Sequence, residues 1–159
     1  MLSTTSEIIA ESIIDAPIEE VWKILIDFEK YSEWNEFTAK IVIGSENSNE
    51  QQPTIGDNVD LYVKWLGSEK TFKQVERLNQ YDSGKKVLEW GMSLGTSWML
   101  KAKRVQTLEV VDGNKTKYTS YGAYEGVLTS IIMKMHRENI QRGFQHAADA
   151  LKKRCELMK

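Results

Sequence analysis

Apolar and polar residues alternate through the middle of the chain, from Thr38 to Glu125. The clearest case is Val59–Trp65, where apolar side chains occupy every second position. This period of two predicts strands with one buried face. Together with an isoleucine-rich stretch near the N-terminus it predicts seven strands, at Glu7–Asp15, Thr38–Gly44, Val59–Trp65, Lys70–Leu78, Lys85–Ser93, Trp98–Val111 and Lys115–Glu125.

Polar turn sequences separate the predicted strands. Asp112-Gly113-Asn114 is typical of a tight hairpin, and Tyr81–Gly84 and Leu66–Ser68 each contain a turn glycine. Glu46–Gln52 (ENSNEQQ) has the composition of a polar loop. The pattern therefore favours consecutive antiparallel strands joined by short turns.

Two short helical segments follow the first strand. Pro17 fits the first turn of a helix, and apolar residues from Ile18 to Phe28 recur at helical spacing. A second, shorter helical turn is predicted at Tyr31–Trp34, and Asn35 ends it.

The last segment, from about Gly126 to Glu156, has no proline and predicts one long helix. At about 1.5 Å per residue it would be over 40 Å long and needs a large surface to pack against. The strands provide that surface. We therefore expect an α+β fold in which a curved seven-stranded antiparallel sheet wraps around the C-terminal helix.

Apolar residues on this helix form two stripes that do not line up. One stripe consists of Leu128, Ile131, Ile132 and Met135, and the other of Ile140, Phe144, Ala147, Leu151 and Cys155. The helix either bends or packs first on the sheet and then on another element. Alternatively, Gly143 leaves space, and Asn139 or His146 offers a polar contact to a molecule held beneath the helix.

Composition indicates one domain, residues 1–159, of ordinary globular character. Hydrophobic residues make up 41% and charged residues 28%, and the net charge of −2 gives no attraction to nucleic acid. The single cysteine, Cys155, excludes an internal disulfide and favours a reducing, cytoplasmic setting. There is no run of about 18 apolar residues, so we expect no membrane span.

The run IIDAPIEEVWKILIDFEKYSEWNEF, Ile13–Phe37, resembles the opening of the START-like (SRPBCC) superfamily, which includes polyketide cyclase/dehydrase-like and Bet v 1-like proteins. The matching positions are Ala16, Pro17, Val21, Trp22, Asp27, Phe28, Tyr31, Trp34 and Asn35. The order of strands and the long last helix are also similar. The resemblance implies a helix-grip fold that commonly holds an apolar ligand between sheet and helix.

Several aromatic and small residues are expected to face that space. Strand parity and helix position select as ligand-binding candidates Trp65, Trp90, Trp98, Arg104, Tyr118, Ser120, Tyr124, Met135, Asn139 and Gly143. Arg104 and Gln106, if they point inward, would anchor a carboxylate or carbonyl group. The simpler alternative is that the aromatic rings fill the core and that Arg104 is a solvated charge at the rim.

No residue stands in a recognisable catalytic motif, so the catalytic residues are left open. His136 and His146 are about 80° apart around the helix and do not form a metal-binding pair. The chain lacks a nucleophile elbow and a phosphate-binding loop, and we expect neither a metal nor a cofactor.

Three functions are consistent with these observations. The first is binding or transport of a small hydrophobic ligand: a lipid, a fatty acid or a polyketide-like aromatic molecule. The second is a polyketide cyclase or dehydrase type of enzyme that uses the same cavity, with an acid or base drawn from His136, His146, Tyr118, Tyr124 or Arg104. The third is a co-chaperone-like interaction module, which predicts a filled core and an exposed apolar patch. Self-association as a homodimer is left open.

Overall fold

A computed structural model describes residues 4–44, 52–96 and 98–158, and it contains the seven predicted strands. They are β1 Thr4–Ile14, β2 Thr38–Ile43, β3 Asn58–Lys64, β4 Thr71–Asp82, β5 Val87–Leu94, β6 Leu100–Val111 and β7 Lys115–Gly126. Nearly all of the polar loop expected at Glu46–Gln52 lies outside the described residues.

The strands form one antiparallel sheet in the order β1-β7-β6-β5-β4-β3-β2. Apart from β1, which pairs with β7, each strand pairs with its neighbour in sequence. The sheet curves around the C-terminal helix α2, Thr129–Leu157. The α+β helix-grip fold expected from the sequence is confirmed.

The first helix, α1, is shorter than its apolar pattern indicates. It spans Ile18–Leu25 and buries Val21, Trp22 and Leu25, and the residues Phe28–Glu33 form a separate 3-10 turn. Between them the backbone of Asp27 leaves the helical region, with φ −83° and ψ 73°. Phe28 therefore continues the apolar spacing without continuing the helix.

The two stripes of α2 have different fates. The second stripe, which runs from Ile140 to Cys155, is buried, and α2 packs on β1 and α1. The first stripe is buried only in part, because Ile131 and Met135 are 58% and 66% exposed. Ile132, which belongs to the same stripe, does face the sheet. No helix in the described ranges is both long and apolar enough to cross a membrane.

Side chains of α2 also close the outer edge of β1. Arg137, Gln141, Gln145 and Lys152 donate hydrogen bonds to the main-chain oxygens of Glu7, Ile9, Glu11 and Ile13, in that order, at 2.7–3.1 Å. From Arg137 to Gln145, each step of four helix residues advances about 6.0 Å and each step of two strand residues about 6.6 Å, so the two repeats nearly match. Lys152 lies seven residues beyond Gln145, and its longer side chain spans the difference. We call these four contacts the edge ladder.

Candidate functional site

A cavity of about 510 Å³ lies between the concave face of the sheet and the N-terminal half of α2. Its walls come from β3, β4, β5 and β6, and α2 covers it with residues four apart in sequence. The apolar lining consists of Phe37, Leu61, Val63, Trp65, Phe72, Trp90, Met92, Leu100, Ala102, Ile132, Ile140 and Phe144. The polar lining consists of Thr38, Gln74, Glu76, Lys103, Arg104, Tyr124 and His136. Few polar groups in a mainly apolar wall are typical of small-molecule sites.

Arg104 projects from β6 into this cavity and is held from behind by β7. Its Nε donates a hydrogen bond to Oγ of Ser120 at 2.9 Å, and Nη2 donates a longer one to Oη of Tyr118 at 3.4 Å. Tyr118 in turn donates to Oε1 of Gln106 at 2.5 Å. Tyr118 and Ser120 are fully buried, so their hydroxyl groups hold the guanidinium group in a fixed position.

The face of the same guanidinium group lies against an aromatic ring. Its carbon Cζ is 4.3 Å from the ring centroid of Phe144, a cation–π contact. Gly122, directly across from Arg104 on β7, makes this contact possible, because a Cβ atom there would lie 2.8 Å from Cε2 of Phe144. Arg104 is therefore oriented on two sides before any ligand binds.

Glu76 is the unexpected member of the site. It lies on β4, is only 7% exposed, and takes part in no hydrogen bond or ion pair within the described ranges. Burial raises the pKa of its carboxyl group from the ordinary 4.5 to about 7, although Arg104 opposes the shift. Near neutral pH this group is thus able both to donate and to accept a proton.

His136 and Tyr124 complete the polar lining. The imidazole ring of His136 stacks on Trp65, with centroids 5.7 Å apart and an interplanar angle of 20°, and its buried Nδ1 has no hydrogen-bond partner among the residues that the structure describes. Burial raises the pKa of Tyr124 to about 12, so its phenol stays protonated at neutral pH. Within the described part of the chain, no group of three His, Cys, Asp or Glu side chains is placed to hold a metal ion.

The structure brings together six of the ten candidates named from the sequence. Trp65, Trp90, Arg104 and Tyr124 line the cavity. Tyr118 and Ser120 lie directly beneath Arg104 as its hydrogen-bond partners. Their contact with a ligand stays a prediction.

The other four candidates lie elsewhere. Trp98 belongs to the turn before β6 and is 57% exposed, because β6 begins only at Leu100. Met135 is exposed, and Asn139 is not among the lining residues. The space expected at Gly143 is occupied, since a Cβ atom there would lie 2.3 Å from Cε2 of Phe37.

His146, the other histidine considered from the sequence, also lies outside the cavity. Its Nε2 accepts a hydrogen bond of 3.2 Å from the main-chain nitrogen of Glu36. This contact links α2 to the segment that precedes β2. His136 is the histidine that faces the cavity.

Glu76 was missed although the sequence carried a signal for it. On β4 it has the same parity as Phe72 and Leu78, so an acid lies on the strand face that carries these two apolar residues. An acidic residue at an inward position is rare unless it is paired or functional. That reasoning would have placed it beside Arg104 among the candidates.

Solved structures with this architecture come from bacteria and plants. The Zhui aromatase/cyclase from Streptomyces sp. R1128 has a TM-score of 0.73 and 15% identity, over 96% of this chain and 94% of that one. A norcoclaurine synthase point mutant from Thalictrum flavum, in complex with a transition state analogue, has a TM-score of 0.71 and 14% identity, over 99% and 98%. A START superfamily protein from Mycobacterium smegmatis has a TM-score of 0.68 and 18% identity, over 96% and 99%. At such identities the likeness concerns the fold.

At the level of sequence no curated protein matches the chain. A family model does match, over residues 5–156, which is nearly the whole length. The START-like, Bet v 1-like resemblance noted at Ile13–Phe37 is thereby confirmed. The chain belongs to the polyketide cyclase/dehydrase and lipid transport family.

Proposed function

We propose that the protein binds a small hydrophobic molecule, such as a lipid, a fatty acid or a polyketide-like aromatic, in the cavity between the sheet and α2. The observation that carries this proposal is the space of about 510 Å³ with a mainly apolar wall. A ligand that removes this apolar wall from water stabilises the complex by roughly 25 cal/mol per Å² of apolar surface. The interaction-module alternative predicts a filled core, which does not agree with such a cavity.

The proposal predicts saturable binding of the neutral fluorescent probe N-phenyl-1-naphthylamine, with a rise in emission. Ala102→Trp adds a large ring to the cavity wall and is expected to weaken binding by at least about tenfold, since it fills space that the probe needs. Fluorescence titration measures both affinities.

Ala39→Trp is the matched control, because Ala39 is exposed and does not line the cavity. It should bind the probe as the wild type does. Absence of saturable binding in the wild type, or equal affinity in both variants, would contradict the proposal.

A second function, a cyclase or dehydrase type of enzyme, is favoured by one specific observation. Glu76 faces the cavity with a pKa of about 7, the range in which a side chain exchanges protons efficiently at neutral pH. Arg104 would stabilise negative charge that develops on a carbonyl oxygen of the substrate. In this reading Glu76 moves the proton and the aromatic wall holds the reactive chain in a folded conformation.

This second function is tested with a poly-β-ketone thioester, followed by chromatography of the cyclised product. Glu76→Gln should lower turnover by about 10²- to 10⁴-fold. A control titration with N-phenyl-1-naphthylamine shows that the variant's cavity is intact. Unchanged turnover in Glu76→Gln would show that Glu76 is not the acid or base.

A further inference from the structure

The charges inside the cavity indicate what kind of polar end its ligand carries. Arg104 is in none of the ion pairs with nitrogen–oxygen distances up to 4.0 Å that the described residues form. Its hydrogen-bond partners are two neutral hydroxyl groups, and Phe144 covers one face. A guanidinium group has five N–H donors, so the hydrogen bonds to Tyr118 and Ser120 leave several of them unused.

Glu76 does not neutralise this charge by direct contact. It lines the same cavity without an ion pair, and Arg104 acts on it only at longer range, lowering its pKa against the larger effect of burial. The other titratable or charged groups that line the cavity, within the described ranges, are Lys103 on β6, Tyr124 on β7 and His136 on α2. Lys103 is largely exposed and Tyr124 is a neutral phenol, so Arg104 is the cation held among apolar walls.

We propose that the ligand is an apolar molecule ending in a carboxylate, that Arg104 binds this carboxylate, and that Glu76 takes up a proton from solvent when the ligand binds. The inference rests on the proposed binding function and names the ligand class for that site. No bond in the ligand breaks.

The proton uptake follows from electrostatics. A carboxylate bound at Arg104 cancels the one positive charge that stabilises the ionised form of Glu76. It also brings a second negative charge into the same apolar space. Both effects favour the neutral form of Glu76, which then has an O–H group to donate to the ligand. An ammonium ligand would instead face the uncompensated guanidinium group.

The carboxylate preference is tested with decanoate and decan-1-ol as competitors of N-phenyl-1-naphthylamine at pH 6. The wild type should prefer decanoate, and Arg104→Met should reduce that selectivity by about 10- to 100-fold, the usual worth of a charge-assisted hydrogen bond. Arg104→Met keeps an unbranched apolar side chain against Phe144. Equal selectivity in the two proteins would overturn the role of Arg104.

The proton uptake is tested by the pH dependence of decanoate binding. Carboxylic acids of this kind titrate at about 4 to 5, so decanoate is ionised throughout the range from pH 6 to pH 8. Its affinity for the wild type should fall by up to about tenfold over that range as Glu76 loses its proton. In Glu76→Gln the ratio of affinities should be close to one, because glutamine does not titrate.

Calorimetry in two buffers of different ionisation enthalpy gives the number of protons taken up directly. Zero uptake at pH 7 would overturn the proposal. So would a pH dependence that persists in Glu76→Gln, because that variant lacks the carboxyl group that the proposal invokes. These failures are distinguishable from failure of the binding function, because N-phenyl-1-naphthylamine and decan-1-ol are neutral and would still bind.

Discussion

Glu76→Gln should make the protein more stable at pH 8, by about 3 kcal/mol in the free energy of unfolding. Burial raises the pKa of Glu76 to about 7, whereas the unfolded chain has the ordinary value of 4.5. The folded state therefore holds the proton more tightly, and stability falls as the pH rises from the unfolded value through the folded one. Above pH 7 the wild type must keep a buried carboxylate that pairs with none of the described residues, and the glutamine variant does not.

The pH dependence separates this effect from an ordinary consequence of substitution. At pH 5 the carboxyl group of Glu76 is protonated in most folded wild-type molecules, so the stability advantage of Glu76→Gln should shrink to about 1 kcal/mol or less. Urea unfolding at the two pH values measures the difference. Glu109→Gln, an exposed change on β6, should shift stability by no more than about 0.5 kcal/mol. An advantage of equal size at both pH values would refute the assignment.

Gly143→Ala should destabilise the protein by about 2 kcal/mol, although alanine is ordinarily the better helix former by about 1 kcal/mol. The added Cβ would lie 2.3 Å from Cε2 of Phe37 and almost as close to two further atoms of that ring. Overpacking of this kind costs about 1–3 kcal/mol, and the severity of the overlap points to the upper end. Because Phe37 lines the cavity, its displacement should also weaken probe binding.

A double-mutant cycle identifies the cause. With Phe37→Leu in the background, Gly143→Ala should lose most of its cost, because the ring that it meets is gone. Arg142→Ala, one position earlier on the exposed face of α2, controls for helix propensity and should stay within about 0.5 kcal/mol of the wild type. A stabilised Gly143→Ala protein would mean that Phe37 moves aside freely. Thermal and urea unfolding provide the measurements.

The sheet was predictable because its information is local. Alternation at Val59–Trp65 and the hairpin sequence at Asp112–Asn114 require only neighbouring residues to be recognised. The residue at which a helix or strand ends depends on more than this local pattern. Phe28 keeps the apolar spacing of α1, but the dihedral angles of Asp27 end the helix, and residue type alone does not indicate that change.

The site was predictable only where strand parity decides the direction of a side chain. Arg104, Tyr118 and Ser120 share inward positions on β6 and β7, and the structure places them together. Gly143 shows the limit of this reasoning. A small residue indicates close approach or open space, and which of the two holds is fixed by Phe37, more than 100 positions away in sequence.

The edge ladder also limits how the sheet can grow. Joining two sheets edge to edge requires free main-chain groups on both, and on β1 the outward carbonyl oxygens of Glu7, Ile9, Glu11 and Ile13 already accept hydrogen bonds from α2. The other edge of the sheet is β2. Edge-to-edge pairing of two chains is therefore restricted to β2, and a pair joined through β2 has no second edge of this kind from which to propagate into a fibre.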